Sequence, residues 1–210
     1  MELVAPYLFA AVGGYLLGSI PFGLLLSRWA GLGDIRKVGS GNIGATNVLR
    51  TGRRDIALAT LLLDAAKAGV ALAIARALWG ETAGLIAGAA AFVGHCFPVW
   101  LGFKGGKGVA TFFGVLFAGL WPIGLLAGAT WLAVAGLFRY SSLAALSAAA
   151  IAPLAAWIGG FDGASILFCA ALALLIFLRH HANIRRLLAG DEPRIGAAKP
   201  APPAEPPPAP

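Results

Sequence analysis

The sequence predicts an all-α, polytopic integral membrane protein with seven transmembrane helices, its N-terminus outside and its C-terminus in the cytoplasm. Of the 210 residues, 59% are hydrophobic and only 12% are charged, whereas a soluble domain carries about 25% charged residues. Long uncharged runs alternate with short loops rich in glycine, lysine and arginine. These three observations are typical of a chain that crosses a bilayer several times.

Seven apolar runs are the candidate spans. They cover residues 4–26, 56–79, 82–99, 109–120, 122–138, 143–158 and 164–178. The fourth is short for a bilayer that needs about 20 helical residues, so it is tilted, packed behind its neighbours or continuous with the preceding glycine loop. Residues 1–198 form a single predicted transmembrane domain, and the Pro/Ala-rich tail 199–210 is predicted to be disordered.

The basic residues predict the orientation. With seven spans, all lysines and arginines except Lys67 and Arg76, fourteen of sixteen, fall on one set of alternate loops. The positive-inside rule assigns that set to the cytoplasm. Because these basic residues flank spans and are not interleaved with aromatic residues, nucleic acid is not an expected partner. The predicted partner is the lipid bilayer, and the oligomeric state stays open.

The first glycine loop, residues 39–50, reads GSGNIGATNVLR. Its first six residues match G-x-G-x-x-G, but they follow a polar stretch and not a strand, so the pattern does not predict a dinucleotide site. Glycine lets backbone amides approach an anion closely, and arginine balances its charge. The loop therefore predicts phosphate binding, with a flexible connector as the alternative. The residues singled out are Ser40, Gly41, Asn42, Thr46, Asn47 and Arg50.

The second glycine loop, residues 103–108, reads FKGGKG and follows the span end GHCFP at residues 94–98. It is not a Walker A motif, because Lys107 is followed by glycine and not by serine or threonine. Two lysines among three glycines still suit a phosphate group. The alternative is a hinge whose lysines serve membrane topology only. The candidate residues here are His95, Lys104, Gly105, Gly106 and Lys107.

The C-terminal motif, residues 179–186, reads RHHANIRR and closes the last span. If the helix continues through it, His180 and Asn183 face one ligand from the same side. An ordinary basic flank explains Arg185 and Arg186, but topology requires neither His180 nor Asn183.

Two opposite charges, Asp64 and Lys67, lie inside the second run, where each isolated charge costs about 2.5–3.5 kcal/mol or more. Their spacing predicts that they pair and face the interior of the helix bundle. The sequence leaves open whether the pair is structural or contacts substrate. The two cysteines, Cys96 and Cys169, predict neither a disulfide framework nor a zinc site.

The three motifs closely resemble those of the bacterial acyl-phosphate:glycerol-3-phosphate acyltransferases. The resemblance extends to length, span number and motif order, and departs at Ile43, where the family often has proline. It implies that an acyl phosphate donates its fatty acyl group to the 1-hydroxyl of sn-glycerol 3-phosphate, giving 1-acylglycerol 3-phosphate and phosphate. This is the first step of phospholipid synthesis, at the cytoplasmic face of the bacterial inner membrane, and it needs no metal or organic cofactor.

The resemblance also implies the roles of individual residues. Catalytic roles fall to Ser40, Arg50, Lys107, His180 and Asn183, and substrate binding to Gly41, Asn42, Thr46, Asn47, His95, Lys104, Gly105 and Gly106. No Ser-His-Asp or Cys-His arrangement and no G-x-S-x-G elbow is found, so direct transfer without an acyl-enzyme is expected. The alternatives are a small-anion transporter, which typically shows repeated halves that this chain lacks, and a membrane scaffold.

Overall fold

The computed structural model describes residues 4–196, and every regular element in this range is helical. The tail predicted to be disordered, 199–210, and the last two residues of the predicted domain lie outside the described residues. The helices are α1 (Ala5–Gly18), α2 (Phe22–Trp29), α3 (Ala45–Leu49), α4 (Arg54–Trp79), α5 (Glu81–Cys96), α6 (Val109–Gly119), α7 (Trp121–Phe138), α8 (Ser141–Ile158), α9 (Gly163–Arg179) and α10 (His181–Ala189).

Each predicted apolar run corresponds to an apolar helical segment, but the segments differ in length. Five are long and apolar enough to cross a membrane: Ala5–Trp29, Arg54–Trp79, Glu81–Leu101, Trp121–Phe138 and Ser141–Ile158. A sixth results if α9 and α10, which are bent by 61° against each other, are one broken span. Helix α6 has 11 residues and is therefore only about 16 Å long, in agreement with the short fourth run.

The first predicted span is not a continuous helix. It breaks between α1 and α2, because Pro21 has no N–H to donate to the preceding turn and disfavours a helical conformation at Ile20. The carbonyl of Ile20 consequently turns away from the helix and accepts a hydrogen bond of 2.7 Å from the Nζ of Lys67 on α4.

Glycines allow the helices to pack at backbone contact. A Cβ atom on Gly18 of α1 would overlap the carbonyl oxygen of Ala91 on α5, and one on Gly114 of α6 would overlap that of Ala65 on α4. Small residues at helix crossings are how helices associate in lipid, where no hydrophobic effect drives them together. These contacts make α4 and α5 the centre of the bundle.

The outer surface of the bundle is apolar. Leucines on the outward faces of α7 and α9 are well exposed, for example Leu132 at 69% and Leu167 at 69%. A soluble protein rarely exposes a contiguous apolar surface of this kind. The exposed leucines therefore face lipid.

Candidate active site

The first glycine loop is folded around the side chain of Asn47, which is 2% exposed. Its Nδ2 lies 2.8–3.0 Å from three main-chain carbonyl oxygens, those of Ile35, Val38 and Asn42, which share its two N–H donors. Its Oδ1 accepts the N–H of Ser40 at 3.0 Å and the hydroxyl of Ser40 at 3.2 Å. The amide of Asn47 is thus occupied in holding the loop together.

Ser40 and Arg50, two of the predicted catalytic residues, lie on the exposed side of this loop. The Nη1 of Arg50 is 3.4 Å from the Oδ1 of Asn47, which also binds Ser40. Gly39 has a φ of +56°, and a Cβ atom there would lie 2.5 Å from the same Oδ1 and 2.9 Å from Arg50. Glycine is required at this position, because only glycine lets Asn47 hold both residues side by side.

The other candidates of the first glycine loop shape its turn. The N–H of Gly41, at a φ of +70°, donates to Val38, and the Oδ1 of Asn42 accepts the N–H of Gly44 at 2.8 Å. Thr46 is exposed and its hydroxyl lies 3.4 Å from that of Ser141, at the start of α8. The first glycine loop is therefore attached to the N-terminal end of α8 as well as to α4.

The second glycine loop is closed by hydrogen bonds from both sides. The N–H groups of Gly105 and Gly106 donate to the carbonyls of Cys96 and His95 at 3.1 and 3.0 Å. Their own carbonyls accept from the guanidinium of Arg179, each at 3.0 Å. Because both N–H groups have partners within the protein, these glycines serve close packing in this structure and offer no amide to an anion.

Lys107 is the half-buried cation of the second glycine loop, whereas Lys104 is exposed. The Nζ of Lys107 donates to the Oδ1 of Asn183 on α10 at 2.5 Å. Its pKa is lowered to about 8, mainly by burial, and the positive charges of Arg186, Arg179 and Arg50 lower it as well. The contribution of Arg50 shows that the first and second glycine loops lie within electrostatic reach of each other.

The expectation that one helix continues through the C-terminal motif is wrong. Helix α9 ends at Arg179, the chain bends by 61°, and α10 starts at His181. His180 lies buried in the bend, with its Nδ1 2.8 Å from the carbonyl oxygen of Ile176. The bend brings Asn183 to Lys107 while Arg179 stays beside the second glycine loop.

Glu192 is a site residue that the sequence analysis missed. Its Oε1 accepts from the hydroxyl of Ser142 and from the Nδ2 of Asn183, each at 2.6 Å, and its Oε2 accepts from Arg186 at 2.7 Å. Burial raises the pKa of Glu192, but these hydrogen bonds outweigh burial and the net pKa is lowered. Glu192 therefore fixes the amide of Asn183 so that its oxygen faces Lys107.

Beneath the second glycine loop lies a buried ionic cluster. The predicted pairing of Asp64 with Lys67 is confirmed by a salt bridge of 2.7 Å. The Nδ1 of His95 lies 3.0 Å from the Nζ of Lys67 and 3.5 Å from the Oδ1 of Asp64. The side chains of Lys67, Asp64 and His95 are 1%, 2% and 4% exposed, so none of these three side chains reaches the surface of the protein.

The structure thus brings the three sequence motifs together at one end of the bundle. Lys107 with Asn183 and Arg179 with the second glycine loop connect the second and third motifs, and Thr46 of the first motif contacts Ser141 at the start of α8. Arg50 and Arg179 lie within electrostatic reach of Lys107, so each of the three motifs contributes a cation to this end of the bundle. Such a cluster suits phosphate groups. Between residues 4 and 196 there is no group of three or more His, Cys, Asp or Glu side chains that could hold a metal ion.

Comparison with known proteins agrees with a phosphate-handling membrane enzyme. Residues 8–190 match the family described as glycerol-3-phosphate acyltransferase. The glycerol-3-phosphate acyltransferase of Maricaulis maris (strain MCS10) is 64% identical over 192 residues, which are 91% of this chain and 88% of the relative. That of Rhodospirillum rubrum is 60% identical over 201 residues, covering 92% of this chain and 93% of the relative.

Two solved structures have the same fold. One is the glycerol 3-phosphate form of PlsY (YgiH), an integral membrane glycerol 3-phosphate acyltransferase, with a TM-score of 0.86 and 39% identity over 90% of this chain and 96% of the other. The other is the lysophosphatidic acid form of PlsY, with a TM-score of 0.84 and 38% identity over 90% and 95% of the two chains. The family match, the curated relatives and the shared fold show that this chain belongs to the glycerol-3-phosphate acyltransferase family.

Proposed function

We propose that the protein transfers a fatty acyl group directly from acyl phosphate to the 1-hydroxyl of sn-glycerol 3-phosphate, giving 1-acyl-sn-glycerol 3-phosphate and phosphate. The observation that carries the proposal is the hydrogen bond between Lys107 and Asn183, surrounded by the positive charges of Arg50, Arg179 and Arg186. It joins motifs that are far apart in sequence into one cationic site. The glycerol 3-phosphate and lysophosphatidic acid forms of the related PlsY support the same acceptor and product.

Both substrates of this reaction carry a phosphate group, so the site has to bind two anions close together. Arg50 and Lys107 supply positive charge from the first and second glycine loops, and the hydroxyl of Ser40 supplies a further donor. Asn183 holds the Nζ of Lys107 in place. Charge-assisted hydrogen bonds, such as those from a lysine or arginine to a phosphate oxygen, are about twice as strong as hydrogen bonds between neutral groups.

The reaction needs no protein nucleophile. Acyl phosphate is a mixed anhydride: the 1-hydroxyl oxygen attacks the acyl carbon, the bond from that carbon to the phosphate oxygen breaks, and phosphate leaves with the electron pair. The hydroxyl proton passes to the departing phosphate or to His180, which is buried in the bend between α9 and α10. Catalysis then consists of positioning two anions and stabilising the charge that develops between them.

Direct transfer predicts that no acyl-enzyme forms. Incubation of the purified protein with radiolabelled acyl phosphate alone should leave the protein unlabelled, and phosphate should be released only after glycerol 3-phosphate is added. A covalent acyl-protein that survives denaturation would overturn direct transfer. The competing transporter hypothesis predicts instead that reconstituted vesicles accumulate glycerol 3-phosphate without any acyl donor.

We further propose seven crossings of the bacterial inner membrane, with the N-terminus outside and the site on the cytoplasmic face. Lysines and arginines concentrate at the site end, which favours the cytoplasm. Exposed tryptophans lie at both ends of the bundle, Trp29 and Trp100 at the site end and Trp121 and Trp157 at the other, as in the aromatic belts of membrane proteins. The short α6 crosses packed between its neighbours. At the C-terminal end of α6, the carbonyl of Ala118 accepts a hydrogen bond from Arg76 of α4.

Cysteine labelling tests this orientation, because the native Cys96 and Cys169 are buried. In intact spheroplasts, an impermeant maleimide should label Gly163→Cys but neither Lys104→Cys nor His181→Cys. Permeabilised membranes should label all three variants, which serves as the control. Labelling of Lys104→Cys and His181→Cys from opposite sides would refute a shared cytoplasmic site.

The lowered pKa of Lys107 predicts a pH dependence of substrate binding. Below about pH 8 the Lys107 ammonium is charged and binds phosphate, and above it the neutral amine does not. The kcat/KM for glycerol 3-phosphate should therefore fall as the pH rises through about 8, by about tenfold per pH unit at the steepest. In Lys107→Arg the fall should move to higher pH, because a guanidinium stays protonated. An identical profile in both proteins would assign the titration to another group.

A further inference from the structure

We propose that Asp64, Lys67 and His95 form a buried positioning cluster that sets the separation between the first and second glycine loops. The inference rests on the proposed phosphate-binding roles of Arg50 and Lys107. It assigns the cluster an effect on substrate affinity although none of its side chains reaches the substrate.

Lys67 is at the centre of the cluster and its ammonium group is saturated. It has three N–H bonds to donate and three partners around it: Asp64 at 2.7 Å, the carbonyl of Ile20 at 2.7 Å and, in the tautomer whose Nδ1 is unprotonated, the Nδ1 of His95 at 3.0 Å. An ammonium group with all its donors used has none left for a phosphate. Lys67 therefore acts through the groups that it holds.

One of those groups leads to the second glycine loop. The carbonyl of His95 accepts the N–H of Gly106, and the imidazole lies so close to Gly106 that a Cβ atom there would overlap its Nε2. Arg179 holds the carbonyl of Gly106 from the other side. Because Gly106 directly precedes Lys107, the position of the His95 ring determines the backbone position of Lys107.

The other group leads to the first glycine loop. The carbonyl of Ile20 lies at the break of the first span, immediately before α2. Helix α2 supports the loop: a Cβ atom on Gly23 would overlap the carbonyl oxygen of Ile43, and Leu24 packs in one buried cluster with Ile43 and Val48. Lys67 thus holds the support of the first loop and, through His95, the base of the second.

A packing role alone does not account for charges at this depth. Two opposite charges buried among membrane helices are often no more stabilising than apolar residues of the same volume. A saturated ammonium group, in contrast, fixes three partners at defined distances and directions. The position of this group between the supports of both loops therefore indicates that it serves their alignment.

The first test removes both charges together, since Asp64→Asn with Lys67→Met leaves no unpaired ion in the bundle. We expect the KM for glycerol 3-phosphate to rise about tenfold or more with a smaller change in kcat, because a displacement of about 1 Å at a reacting site can cost about 10²-fold and the cluster acts on the loops from a distance. The matched control is Arg76→Met with Glu81→Gln, which removes an ion pair and two carbonyl contacts at the opposite end of α4. A merely structural role predicts lower thermal stability and an unchanged KM for both pairs.

The second test probes the link through the imidazole. Gly106→Ala alone should raise the KM strongly, because its Cβ meets the Nε2 of His95. His95→Asn keeps an acceptor for Lys67 near the Nδ1 position but removes Nε2, so it should restore part of the affinity lost in Gly106→Ala. Additive effects of the two substitutions would overturn the link, and this test holds even if the charge-neutral variant fails to fold.

Lys107→Ala, measured in parallel, separates this inference from the proposed function. If Lys107→Ala leaves the KM for glycerol 3-phosphate unchanged, the proposed phosphate site is wrong. If Lys107→Ala raises the KM but the cluster variants do not, only the positioning cluster is refuted.

Discussion

Lys107→Ala is expected to lower kcat/KM for glycerol 3-phosphate by about 10²–10³-fold, the range found when one donor is removed from a preorganised anion site. The Nζ of Lys107 is half-buried, bound to Asn183 and close to three further cations. Its charge therefore acts in a site from which water is partly excluded, where it is worth more than at the surface. The fold should persist, because Asn183 keeps its hydrogen bond to Glu192.

Lys104→Ala is the matched control for this prediction. It removes one positive charge from the same loop, so it has the same consequence for membrane topology, but Lys104 is exposed. We expect a loss several-fold smaller than for Lys107→Ala, with both variants measured in detergent and compared at equal amounts of folded protein. Equal losses in the two variants would mean that the lysines act only through net charge.

The helices of this protein could largely be predicted from the sequence, since a bilayer imposes long apolar runs that have distinct ends. The predicted runs 122–138 and 143–158 differ from α7 and α8 by one or two residues at their starts. The break between α1 and α2 was not predicted, although Pro21 lies inside the first run. Proline is tolerated within membrane helices when a neighbour satisfies the freed backbone groups, and here Lys67 binds the carbonyl of Ile20, 47 positions before it in the chain.

The convergence of the three motifs followed from the alternation of loops, but the division of labour within them did not. Asn47 and Ser40 both look like polar ligands in sequence, yet one is buried as a scaffold and the other is exposed. Likewise, the glycines of the second loop look like amide donors to phosphate, whereas their N–H groups bind His95 and Cys96. Burial and hydrogen-bond partners are tertiary properties, and no local pattern encodes them.

Glu192 illustrates the same limit. Its signal in the sequence was the acidic pair Asp191 and Glu192, within a segment that also carries Arg185, Arg186 and Arg194. Acids near arginines are most often solvated surface residues. Only the fold shows that three hydrogen bonds hold Glu192 beside Asn183.

Asn47→Ala is expected to destabilise the protein and to impair substrate binding together. The substitution leaves the carbonyl of Asn42 without a donor and the N–H of Ser40 without an acceptor, and it removes one of two donors from the carbonyls of Ile35 and Val38. Because each buried polar group left unpaired costs about 1–3 kcal/mol and some of these groups regain water, we expect a loss of about 2–4 kcal/mol in the free energy of unfolding. That corresponds to a fall of roughly 5–10 °C in the unfolding midpoint of a chain this long.

The expected kinetic effect has the same origin, since Asn47 holds Ser40 and Arg50 side by side. Without it we expect kcat/KM for glycerol 3-phosphate to fall by about 10²-fold, as when a reacting group is displaced by about 1 Å. Asn42→Ala, which removes one hydrogen bond to Gly44, should cost about 1 kcal/mol and far less activity. A scaffold residue changes stability and affinity together, whereas a substrate ligand changes affinity alone. A raised KM at wild-type stability would therefore identify Asn47 as a direct ligand of the substrate.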